Sequence, residues 1–167
     1  QFSHTWEMEG HGLDWEPPLS HGFKVGVGTV ASCASWEVFL SMGVESAEVV
    51  YIGSREDANG RESLDLVENA TGIFLTGGNQ MRLSAIIGGT RFEQLVRARN
   101  AQGVVVAGTS AGASILSAHM VALGSSGATP KLRMAQMFAG FGLISNVIID
   151  QHFRQRDRIG RLLSLVA

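Results

Sequence analysis

The run Val104–Val105–Val106–Ala107–Gly108–Thr109–Ser110–Ala111–Gly112–Ala113 decides the architecture. Four apolar residues, three of them β-branched, read as a buried strand. A turn of small residues follows at once. Ala113–Ser114–Ile115–Leu116–Ser117 then reads as a helix. Ser110 stands at the centre of Gly-x-Ser-x-Gly, between Gly108 and Gly112. A serine nucleophile needs such a strand-to-helix turn, because the bend lifts its hydroxyl off the sheet. Glycines two residues to either side let the backbone bend tightly and keep side chains clear. The amide of Ala111, at the head of the following helix, then faces a developing oxyanion. The bland alternative is a glycine-rich β-to-α turn with a helix-capping serine.

Outward from this turn, strands and helices alternate. Phe23–Gly28, Glu48–Ile52, Thr71–Leu75, Val104–Ala107, His119–Leu123 and Val147–Ile149 are the expected strands. Helices are expected near 35–42, 61–69, 81–87, 91–100 and 158–167. The last carries Ile159, Leu162, Leu163 and Val166 on one face. Residues 124–131 read as a loop, and 132–145, with Met134, Met137, Phe138, Phe141, Leu143 and Ile144, as core or a lid. This order implies an α/β fold, a mainly parallel sheet with helices on both faces. Residues 1–22, with Trp6, Trp15, Pro17 and Pro18 and no clear period, read as an N-terminal extension or loop. Residues 23–167 then form a single domain. Gly26-x-Gly28-x-x-Ala31 is a faint echo of a dinucleotide fingerprint, but its glycines begin inside the strand.

Composition narrows the function classes. The chain has 167 residues, 45% apolar and 17% charged, with a net charge of −2. That balance carries no basic footprint for nucleic acid. No apolar run approaches membrane-spanning length. One cysteine excludes an internal disulfide framework and suits the cytoplasm. His4, His11 and His21 are too widely spaced for a local metal pair.

In a parallel sheet the ligand site lies at the carboxyl ends of the strands. Three polar clusters fall there: Gly77–Gln80, Gly108–Gly112 and Asp150–His152. A serine hydroxyl needs a base within reach. His152 follows a strand directly and is favoured over His119, which lies one helix beyond Ser110. Asp150, two residues from His152, points elsewhere in an extended backbone. Arg154, Arg156, Arg158 and Arg161 follow, a cluster suited to bidentate carboxylate recognition.

Three motifs together closely resemble the cyanophycinase family: Thr76–Gly77–Gly78–Asn79–Gln80–Met81–Arg82–Leu83, Gly108–Thr109–Ser110–Ala111–Gly112–Ala113 and Asp150–Gln151–His152–Phe153–Arg154–Gln155–Arg156. Ser54–Asn59 and Gly88–Gly89–Thr90 also fit, so the resemblance covers about residues 47–167. It implies the flavodoxin-like, class I glutamine amidotransferase-like three-layer fold of a serine peptidase family that includes aspartyl dipeptidases. It implies an exopeptidase that releases β-Asp-Arg dipeptide from cyanophycin, with no cofactor or metal and with a homodimer as a common assembly. An aspartyl dipeptidase, or a non-catalytic relative that only binds peptide, is the alternative. Carried over by motif, Ser110 is the nucleophile and His152 the base, with Gly78 and Ala111 as oxyanion amides. Gln80, Asp150, Gln151, Arg156, Arg158 and Arg161 are expected to shape the substrate pocket. The acidic member of the family's triad is expected beyond Ala167, so the domain reads as incomplete.

Overall fold

The computed structural model describes residues 27–28 and 34–166. The expected extension 1–22, most of the strand expected at 23–28 and most of the fingerprint around Gly28 lie outside them. Four strands form one parallel sheet: β1 (Val27–Gly28), β2 (Val50–Tyr51), β3 (Gly72–Leu75) and β4 (Val105–Gly108), in the order β2-β1-β3-β4. The order reverses between β1 and β3, as in doubly wound flavodoxin-like sheets. β3 and β4 run in register from Gly72↔Val105 to Leu75↔Gly108. Between the strands lie α1 (Ala34–Ser41), α2 (Arg61–Glu68), α3 (Gln80–Ile87) and α4 (Arg91–Ala101). A single turn, α5 (Ala111–Ser114), follows β4.

Local chemistry sets these boundaries. The Asn79 side chain accepts the Arg82 amide at 3.0 Å and starts α3. Thr90 starts α4 by accepting from the Glu93 amide, while the Glu93 carboxylate accepts the Gly89 amide at 2.6 Å. This is a capping box shifted by one residue. The β-branched and leucine side chains of the strands meet the helices in one core: Ile52, Ile73, Leu75, Leu83, Ile87, Phe92, Val96 and Ile115 are all buried. The Phe39 ring of α1 stands edge-on to Phe74 of β3, centroids 5.2 Å apart.

Two expectations fail beyond β4. Val147–Ile149 forms no strand. Its three residues have high β propensity but make no ladder among the described residues, and Val147 is 46% exposed. Residues 132–145 are neither simple core nor lid. Ala135–Ala139 is a strand, β6, antiparallel to β5 (His119–Gly124) in a separate two-stranded sheet. The pairing slips between Val121 and Leu123, leaving Ala122 without a cross-strand partner. The helix expected at 113–117 begins two residues earlier and ends at Ser114. The final helix, α6, is Ile159–Val166.

Candidate active site

The site sits where β4 ends. Ser110 holds φ 53°, ψ −118°, a conformation L-residues rarely adopt. It persists because the surrounding backbone leaves no alternative. A side chain on Gly108 would collide with the Gly112 carbonyl at 2.4 Å, and one on Gly112 with the Leu75 carbonyl at 2.0 Å. The Thr109 amide donates to Leu75 at 3.0 Å, continuing the β3–β4 ladder into the turn. So the two glycines of the motif permit a helix to start against the end of a strand, and Ser110 takes the strained corner.

The β3–α3 turn forms one wall. A Cβ on Gly77 would stand 3.1 Å from the Ser110 Cβ. Gly78 follows with φ 138°. Ala111 is the first residue of α5, so its amide has no intrahelical acceptor. Ala111 thus adjoins Ser110 in the chain, and Gly78 follows the glycine that packs against it.

The opposite wall is the segment 149–158, an arm without regular structure. His152 has φ 50° and its Nε2 lies 2.9 Å from Ser110 Oγ, across 42 residues of sequence. His119 lies instead at the start of β5. Among the described residues, no carboxylate hydrogen-bonds the His152 ring. Gln151 approaches the same hydroxyl: Ser110 Oγ donates to Gln151 Oε1. Gln151 Nε2 donates to Gln80 Oε1 at 3.0 Å, and Gln80 Nε2 donates to the Ala122 carbonyl at 2.8 Å. Gln80 and Gln151 are therefore brought together beside the Ser110 hydroxyl.

The arm is fastened from inside. Asp150, its side chain 1% exposed, receives Arg161 Nε at 2.8 Å and Arg161 Nη2 on its second oxygen. Arg158 Nη1 stands 3.8 Å from Asp150 and donates to the Gln151 carbonyl. Burial, with Arg161 alongside, pushes the Arg158 guanidinium below its ordinary range, and Asp150 opposes this. The Ser114 hydroxyl of α5 donates to the Ile149 carbonyl at 3.1 Å. The Gly127 amide donates to Asp157 at 2.7 Å.

Asp150, Arg158 and Arg161, expected to shape the substrate pocket, face each other in the interior and pair there. Of the expected pocket arginines only Arg156 is exposed, with Arg154 beside it. Ser114 is not among the residues the sequence singles out for the site, and a serine one turn after Ser110 is its available signal. Among the described residues no group of three or more His, Cys, Asp or Glu stands close enough to hold a metal ion. No helix among them is long and apolar enough to cross a membrane.

Comparison with known proteins sets this geometry in context. Residues 35–167 match the model of peptidase family S51. Over 131 residues the chain is 43% identical to a cyanophycinase of Trichormus variabilis, covering 78% of this chain and 44% of that one. It is 39% identical to a cyanophycinase of Geminocystis herdmanii, covering 78% and 48%. The chain thus spans about half the length of the curated relatives it matches. A solved structure, a peptidase from an acI-B1 actinobacterium, superposes with a TM-score of 0.59 at 27% identity, covering 80% of this chain and 56% of that one.

Proposed function

Since this chain belongs to peptidase family S51, we propose that Ser110 and His152 are the nucleophile and base of a serine exopeptidase acting on cyanophycin. The 2.9 Å approach of the imidazole to a hydroxyl on a strained turn is the observation that carries this reading. The names of the relatives point to the substrate, a poly-aspartate backbone bearing arginine on each β-carboxyl, and β-Asp-Arg dipeptide is the product.

Ser110 Oγ attacks the scissile carbonyl carbon while His152 Nε2 takes its proton. The carbonyl oxygen becomes an oxyanion between the amides of Gly78 and Ala111. His152 then gives its proton to the leaving amine, and an acyl ester remains on Ser110. Water, deprotonated by the same imidazole, releases the acid and restores the hydroxyl. In this reading Arg156, exposed on the arm that carries His152, meets a substrate carboxylate. The strained backbone at Ser110 keeps the oxygen raised between turn and arm, so the backbone does not have to move before attack.

The decisive measurement is dipeptide release from cyanophycin by the chain and by Ser110→Ala. Removing the nucleophile is expected to lower the rate about 10⁴-fold or more. Equal rates would end the proposal. Turnover of simple Asp-X dipeptides with none of cyanophycin would shift it to an aspartyl dipeptidase.

A further inference from the structure

Two glutamine amides run in series from the bulge in β5 to the nucleophile, and hydrogen-bond polarity fixes the direction of each. Val121 and Ala122 offer carbonyl oxygens to Gln80, at 3.3 and 2.8 Å. A carbonyl only accepts, so Gln80 turns its NH₂ toward the bulge and its oxygen toward Gln151. That oxygen also only accepts, so Gln151 supplies its NH₂ at 3.0 Å. The Gln151 oxygen is then left facing Ser110 Oγ. The hydroxyl has one proton, and it donates that proton to Gln151. The same Oγ lies 2.9 Å from His152 Nε2. With its proton already committed, Ser110 can only accept from the ring, so Nε2 must itself carry hydrogen.

We infer that Gln80 and Gln151 are proton-positioning residues that hold the resting site with the Ser110 proton turned away from its base. In this state neutral His152 is the Nε2–H tautomer and cannot take a proton from the serine. Activation needs the Gln151 oxygen to be displaced from Ser110, as by the amide N–H of a bound peptide. The ring then releases its Nε2 proton to solvent and takes one on Nδ1, with no net change in charge. Nε2 is left free to accept from Ser110. The bulge is part of the device, because the slip in pairing between Val121 and Leu123 is what frees Ala122 for Gln80.

The inference rests on Ser110 as nucleophile only for its purpose. Its proton assignment is read without any turnover. Long-range ¹H–¹⁵N spectra of the histidine rings, assigned with His152→Gln and recorded above the ring's titration, report the tautomer directly. The free chain is expected to show Nε2–H. Gln151→Leu, which removes the acceptor, is expected to move His152 to Nδ1–H, and Gln151→Glu, which restores one, to return it to Nε2–H. Gln80→Leu, which frees the Gln151 amide to turn over, is expected to give a mixture. It serves as the test should Gln151→Leu not fold. Nδ1–H in the unmodified chain, or Nε2–H retained in both leucine variants, overturns the inference. Labelling of Ser110 by a small fluorophosphonate is expected to be about tenfold faster in Gln151→Leu, the most that loss of one such hydrogen bond supplies. If nothing labels while the tautomers change as described, the peptidase reading fails and the amide chain stands.

Discussion

Ser110 and His152 arrive at the same point by opposite means. The serine is placed by backbone. Gly108 and Gly112 admit a helix start within van der Waals range of a strand end, and the corner residue has one conformation left. The histidine is placed by side chains. Its arm has no regular hydrogen-bond ladder, and it holds position through Ser114 on Ile149, Arg158 on Gln151 and Arg161 on Asp150. A backbone device fails all at once when a single Cβ is added. A side-chain device loosens in steps, and each step has its own cost. His152 and Asp157, both at positive φ, mark where the arm's backbone takes conformations that its own sequence does not favour.

The sharpest way to break the comparison is Gly112→Ala. The new Cβ meets a backbone carbonyl at 2.0 Å, and neither β3 nor α5 can retreat without leaving the core. The cost is expected above about 4 kcal/mol, or loss of the cooperative transition altogether, in a urea melt. A mild shift would mean that the turn is less constrained than its geometry says.

Asp150→Ala tests the other device. It strands Arg161, 2% exposed, without its carboxylate. Breaking one side of a buried pair is expected to cost about 3 kcal/mol. Replacing both partners by leucine is expected to recover most of that stability while dipeptide release stays low, because the arm has lost the contact that orients residues 150–152. Recovery of both would mean that the ion pair serves only the fold.

This difference also explains what was legible in the sequence. The Ser110 turn is a local pattern, so Gly-x-Ser-x-Gly after Val104–Ala107 reads directly as strand, corner and helix. β3 and β4 read equally well, because their β-branched and apolar runs end in small residues. The arm is written in tertiary contacts. Nothing local says that Asp150 pairs with Arg161 rather than with a ligand, and four arginines in eight residues invited the outward reading. Val147–Ile149 has the composition of a strand, but composition does not choose the partner, and the Ile149 carbonyl takes the Ser114 hydroxyl instead of a ladder bond. β6 was missed for the converse reason: Ala135–Gln136–Met137–Phe138–Ala139 has little β propensity, and its pairing with β5 supplies what the residues lack.

Ser114 joins the two devices, since it lies in the helix that the glycines admit and holds the arm at Ile149. Ser114→Ala is expected to cost about 1 kcal/mol, the usual worth of one such bond. Its signature is kinetic: kcat falls with KM unchanged, because the imidazole shifts and the substrate's contacts do not.

Arg156→Ala carries the smallest effect on the fold and the most information about the arm's outer face. The side chain is exposed, so stability is expected to move by no more than about 0.5 kcal/mol. With Arg158 and Arg161 turned inward, Arg156 and its neighbour Arg154 are what remains of the arginine cluster for a substrate carboxylate. KM for cyanophycin is therefore expected to rise in Arg156→Ala with kcat little changed. Arg156→Lys is expected to fall between, because an ammonium keeps the charge and loses the two-pronged geometry. An unchanged KM in the alanine variant would leave the arm with a single task, holding His152 against Ser110, and would move substrate recognition to the β3–α3 side of the site.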